Sequence, residues 1–207
     1  MKPFVILVAL GVSMAPGMSM AQKVQAPPDP KSLYEAGQYE PAIQAIAAQG
    51  DEPSPAATYL AGQSHLRLNQ PDAARAQFAK LSAGSSAEKP TAWSLVGTSA
   101  TALIGGDTQL GIESAKRAVQ MAPDEFHPNY QLGLAYSAAD QMAPAAEAFE
   151  KAAAIDPTFA YTHYYAGLAY SKLRQVSRMA THLEYFLKLA PEAPERPAVV
   201  TLMRRVR

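Results

Sequence analysis

Apolar and polar positions along the chain fall into short amphipathic stretches that end in the same way at a fixed interval. Ala118-Val119-Gln120-Met121-Ala122-Pro123, Ala152-Ala153-Ala154-Ile155-Asp156-Pro157 and Leu187-Lys188-Leu189-Ala190-Pro191 each close on proline, and the three prolines stand 34 residues apart. Proline cannot continue a helix and pushes its predecessor out of the α region. A helix therefore stops at the same point three times. Gly133 and Gly167 keep the same interval, as do Tyr136 and Tyr170. Asn69-Gln70-Pro71-Asp72 and Gly105-Gly106-Asp107 fall between paired helices, where a left-handed residue and an N-cap are wanted. The pattern predicts an all-α chain of repeated two-helix units that stack because one pair cannot bury its apolar face alone.

The phase resembles the tetratricopeptide repeat (TPR) family, whose first helix carries a large residue, Leu-Gly and Tyr, and whose second carries Ala, Phe and Ala before a closing Pro. Residues 126–159 match most fully, with Leu132-Gly133, Tyr136, Ala145, Phe149, Ala152 and Pro157. Residues 160–193 keep Gly167 and Tyr170 but hold Met179, Leu183 and Phe186 on the second helix. Residues 92–125 keep Leu95, Ser99, Ala118 and Pro123, with Gly111 and Ala115 off the pattern; residues 55–88 keep Gly62, Ala74 and Phe78. A partial repeat with a shortened first helix spans 30–54, through Gly37, Tyr39, Ala42 and Ile46. The resemblance implies an α-solenoid of about four and a half repeats. Residues 82–91 stretch one junction to a spacing of 37, so a longer loop is expected there.

The two ends read differently. Lys2 is followed by a short apolar run, Phe4 to Met14, then Pro16-Gly17 and a small-x-small site at Ser19-Met20-Ala21. That is the form of a secretory signal peptide over 1–21, since the run falls short of the ~20 residues of a spanning helix. An uncleaved anchor is the alternative. A periplasmic or secreted protein with no membrane span after cleavage is expected. Residues 22–29, with Pro27-Pro28, read as a flexible leader. Residues 194–207 place Val199, Val200, Met203 and Val206 at near-helical spacing among arginines. They predict a C-terminal capping helix, the alternative being a basic docking handle.

Composition narrows the function. Apolar residues make up 48% of the chain, enough for a core, and abundant alanine favours helix. The 18 basic and 18 acidic residues balance, so nothing points to nucleic acid. The chain has no cysteine, which removes thiol chemistry, disulfides and a lipidation site. His65, His127, His163 and His182 offer no two-histidine helical spacing. His163 and His182 can approach across one repeat, but no third ligand accompanies them. No nucleophile elbow, carboxylate couple or phosphate loop is found, so the chain is expected to be no enzyme and to hold no metal or cofactor.

In TPR proteins the first helices line a concave surface. Carried over, the resemblance implies that Tyr59, Gln63, Trp93, Val96, His127, Tyr130, Leu134, Tyr161, Tyr164 and Leu168 point into that groove, together with Leu66 and Leu103. Groove exposure is expected for Trp93, Tyr130 and Tyr164; for the rest, packing between repeats is an equal alternative. Chaperone-carboxylate binders place Lys and Asn where this chain has Tyr59/Gln63, Val96/Ala100, Tyr130/Leu134 and Tyr164/Leu168, so an apolar segment or helix is the expected ligand. The leading expectation is a non-catalytic protein-binding scaffold or adaptor in the cell envelope. Two others stand beside it: a self-associating structural component, and an accessory subunit of an envelope assembly or secretion complex.

Overall fold

The computed structural model describes residues 28–205, apart from 51, 83, 84 and 87; the expected signal peptide and most of the leader lie outside the described residues. Eleven helices and no strand are found among the described residues. A short pair, α1 (Pro30–Glu35) and α2 (Tyr39–Ala47), precedes four full pairs. These are α3 (Pro55–Arg67) with α4 (Pro71–Lys80), α5 (Ala92–Ile104) with α6 (Thr108–Met121), α7 (Phe126–Ala138) with α8 (Met142–Ile155), and α9 (Ala160–Lys172) with α10 (Val176–Leu189). A last helix, α11 (Arg196–Arg204), lies against α10. The starts of α5, α7 and α9 are 34 residues apart, while α3 and α5 are separated by 37.

Each turn inside a pair is built by local chemistry. Gly37, Asn69, Gly106, Asp140 and Arg174 all take positive φ at the equivalent place, ending the first helix as a left-handed residue does. Asp107 then accepts from the backbone N–H of Leu110 at 3.0 Å to cap α6, and Pro71 opens α4, where its missing N–H costs nothing. Asp29, expected in the leader, instead caps α1 by accepting from the N–H of Ser32 at 3.0 Å.

Within a pair, a residue without a side chain on the first helix receives a large one from the second. A Cβ at Gly62, Gly133 or Gly167 would stand 2.4 Å from Phe78, 2.5 Å from Phe149 and 2.5 Å from Leu183, respectively. The α5–α6 pair inverts the arrangement: Gly111 on the second helix receives Leu103 from the first, at 2.6 Å from where its Cβ would lie. That inversion is why 92–125 departs from the family pattern. Between pairs, a polar side chain near the start of a first helix donates to the carbonyl of the preceding loop's proline. Asn129 Nδ2 reaches Pro123 at 2.9 Å, His163 Nε2 reaches Pro157 at 3.1 Å, and Thr58 Oγ1 reaches Pro53 at 3.5 Å.

The C-terminal helix buries Val199 and Met203, and Arg196 Nη1 donates to the Leu187 carbonyl at the end of α10 at 2.9 Å. It covers the last pair, as expected of a cap. Gly133→Leu is predicted to destabilise the fold by about 1–3 kcal/mol, because Phe149 already fills the space a side chain would need. Urea denaturation reads this directly, and an unchanged midpoint would show that α7 and α8 are not pressed together there.

Candidate functional site

The concave face is not the open groove that the resemblance implies. α5 presents only Val96 and Ala100 at its two central inner positions, and both are buried. Side chains this small leave room for long side chains of α3 and α7 to meet over α5. Tyr59 on α3 therefore donates to Gln131 Oε1 on α7 at 2.6 Å, Gln131 Nε2 donates to Ser99 Oγ on α5 at 3.0 Å, and Ser99 donates to the Gly111 carbonyl at 2.8 Å. Such a fully satisfied buried chain fixes one geometry. The Tyr59 ring also packs on Trp93 and His127, with centroids at 6.5 and 5.4 Å.

The same inward curl brings the two ends of the solenoid into contact. Lys31 Nζ on α1 donates to Thr158 Oγ1 at 2.7 Å and lies 3.5 Å from Asp156. The Tyr34 ring packs on Tyr161 and Phe159 at 5.1 and 6.3 Å. Glu35 accepts from the first N–H of α9, that of Ala160, at 2.7 Å. Gly37 sits so close to Pro194 that a Cβ would lie 2.8 Å from its Cδ. Across the seam, Arg67 Nε donates to Tyr39 at 2.9 Å and Nη2 to Tyr161 at 3.1 Å, while the guanidinium also pairs with Glu195. Tyr161 completes the set by donating to Glu195 at 2.8 Å.

Four of the ten expected groove residues are thereby corrected as surface: Tyr59, Val96, Tyr130 and Tyr161 are buried. Tyr130, expected to be exposed, lies between Phe126, Phe149, Phe159 and Tyr165. Trp93, Gln63, His127, Leu134, Tyr164 and Leu168 stay partly exposed. Sequence reasoning missed Tyr34, Glu35, Tyr39, Arg67, Gln131 and Glu195. Two tyrosines flanking Gly37 were a signal for a buried corner, but nothing along the chain links Arg67 to Glu195.

Two clefts remain open on the inner face, meeting at Gln63. One, of about 260 Å³, is lined by Leu60, Gln63, Phe126, His127 and Phe159 beside Lys31 and Asp156. The other, of about 310 Å³, is lined by Leu66, Arg67, Leu103, Ile104, Leu134 and Tyr165. Burial lowers the His127 pKa to about 4, so its imidazole is neutral and serves as part of an apolar wall.

The histidine pair on the outer side is structural in its geometry. His163 Nε2 faces a carbonyl and so carries the proton, which leaves Nδ1 to accept from His182 Nδ1 at 3.2 Å. Burial lowers both pKa values, in keeping with neutral rings. His163 stacks on Tyr185 and His182 on Tyr170. No group of three metal-ligating side chains occurs among the described residues.

Residues 127–159 match the family model described as a tetratricopeptide repeat. No curated protein matches the sequence. Among solved structures, the chain is similar to TTC0263, a thermophilic TPR protein of Thermus thermophilus, with 17% identity over 86% of this chain and 94% of that one, at a TM-score of 0.59. It is also similar to the first TPR of Spaghetti (RPAP3) bound to an HSP90 peptide, with 17% identity over 56% and 90% of the two chains and a TM-score of 0.52. YrrB, described as a TPR protein with an unusual peptide-binding site, matches at 17% identity over 84% and 86%, with a TM-score of 0.51. Identities this low establish a shared fold.

Glu35 gives the seam a pH dependence. Burial pushes its pKa up to about 7, against the opposing pull of the Ala160 N–H and Lys31. The folded state thus holds a proton that the unfolded chain releases near 4.5. That stabilisation is complete below about pH 4.5 and is lost as pH rises through about 7. Thermal melting of the wild type relative to Glu35→Gln, whose amide still accepts from Ala160, is predicted to decline between pH 5 and pH 8. A constant difference would contradict the buried, proton-holding carboxyl.

Proposed function

We propose that this tetratricopeptide-repeat solenoid is a non-catalytic scaffold of the cell envelope, which takes an apolar segment or helix of a partner polypeptide on its concave face. One observation carries the reading. Leu60, Leu66, Leu103 and Leu134 lie half-exposed along the two inner clefts around Gln63, so closure of the ring leaves an apolar strip uncovered. A contiguous apolar strip rimmed by polar groups marks an interaction site. Of the expected groove residues that stay accessible, Gln63, His127 and Leu134 line it. Peptide binding is described for two proteins of this fold, and both support a polypeptide ligand. Absence of Lys and Asn from the inner positions favours an apolar ligand over a terminal carboxylate. The envelope setting rests on the Lys2–Ala21 pattern.

Self-association is the second reading. Met121 and Ile155 end α6 and α8 at equivalent positions, and both side chains are exposed, by 52% and 39%. Light scattering of the isolated chain separates the two readings, since a pure adaptor runs as a monomer.

Leu66→Glu combined with Leu134→Glu is predicted to weaken partner capture at least tenfold, or about 1.4 kcal/mol, in crosslinking pull-downs from the native envelope. Both side chains are partly buried against the core, so helical circular dichroism is recorded on the same variant to establish that it is folded. Undiminished capture by the folded double variant would remove the clefts as the binding surface.

A further inference from the structure

Helix α1 is six residues long, too short to hold helical shape by itself, and its three anchoring side chains converge on a single patch. Lys31 meets Asp156 and Thr158, Tyr34 meets Phe159 and Tyr161, and Glu35 meets the N–H of Ala160. The patch is the continuous stretch 156–161 leading into α9, about 125 residues away in sequence. α1 packs on its sequence neighbours α2 and α3, and in addition these three side chains reach across the ring. Cation, aromatic ring and carboxyl are each answered by a complementary group: carboxylate, rings, and the free N–H of a helix start.

We propose that α1 is a built-in occupant of a docking patch at residues 156–161, and that the scaffold's partner presents a helical segment of the same chemistry, which takes the patch by displacing α1. That chemistry is a lysine, an aromatic ring three residues on, and an acid directly after the ring. The inference rests on the reading of the concave face as a polypeptide-binding surface, and it names the ligand class.

The geometry allows exchange. Lys31 and Asp156 keep side-chain exposures of 30% and 34%, so an incoming segment can begin at that wetted edge and move inward to the buried Tyr34 and Glu35. An entering lysine, ring and acid replace each contact that α1 gives up, so no buried donor or acceptor is stranded. The four full pairs keep their own packing throughout.

A fluorescein-labelled peptide reproducing residues 28–38 serves as the probe, with the full chain as receptor. Lys31→Ala combined with Glu35→Ala loosens the resident α1, and the peptide is expected to bind this variant at least tenfold more tightly than wild type. Adding Asp156→Ala and Thr158→Ala should reverse the gain. Equal affinity for wild type and the loosened variant, indifference to Asp156 and Thr158, or no binding to either would overturn the inference. Circular dichroism confirms that each variant is folded. Because the sequence has no cysteine, Ser32→Cys on α1 and Glu192→Cys provide two unique exposed label sites across the seam. Saturating peptide is expected to lengthen the distance between them, and an unchanged distance would also overturn the proposal. The probe is the chain's own segment, so its failure strikes α1 alone. The broader reading instead stands or falls with the Leu66 and Leu134 variant.

Discussion

A guanidinium withdrawn from water must have its charge answered and its donors occupied, and Arg67 meets both demands only when the two ends of the solenoid touch. Its partners come from three places: Tyr39 on the first short pair, Tyr161 on α9, and Glu195 in the link to α11. The guanidinium also lies over the Tyr39 and Tyr161 rings, at 5.5 and 4.9 Å from their centroids. Loss of Glu195 would leave the half-buried charge without its counter-ion, and loss of either tyrosine would leave a guanidinium donor unanswered. Opening the seam therefore breaks several contacts together, and the closed ring is one cooperative arrangement.

That arrangement changes what the concave face can do. An open solenoid would offer its inner rings to a ligand as a broad apolar trough. Here Tyr34, Tyr130 and Tyr161 are consumed by the protein itself as buried packing, and the hydroxyls of Tyr59 and Tyr161 are hydrogen-bonded. What remains for a partner is the leucine-lined surface on either side of Gln63. Fold and candidate site thus compete for the same residues, and tight curvature decides the allocation.

Periodicity made the helix pairs legible because each pair solves a local problem. Pro123, Pro157 and Pro191 stop helices through backbone geometry, and Gly62, Gly133 and Gly167 mark where a large side chain must enter. Such constraints act within 34 residues and show directly in the chain. Curvature was not legible in the same way. It depends on how Val96 and Ala100 permit α3 and α7 to meet, a consequence of absent bulk two helices away from the residues that touch. The family pattern reports which inner positions face the axis, but not how far the axis is occupied. Tyr59 and Tyr130 are accordingly buried by rings of their own and neighbouring pairs, Phe78 for the one and Phe149, Phe159 and Tyr165 for the other. Glu35 carried no marker at all; its role arises only when α9 begins beside it.

Cleft size follows from the same curvature and bears on recognition. At about 260 and 310 Å³, one cleft falls just below and the other just above the lower bound of ligand pockets, which span about 300–1,000 Å³. Neither encloses a whole helix in the closed ring. On the proposed reading, each would accept the tip of a segment, one or two side chains, with the rest lying along the rim. A partner held this way is read by the spacing of its apolar side chains against Leu60, Leu66 and Leu134 more than by its total apolar area. Widening the ring would trade that selectivity for a larger contact, so the Arg67 network that holds the seam closed would also set how finely such a partner is read.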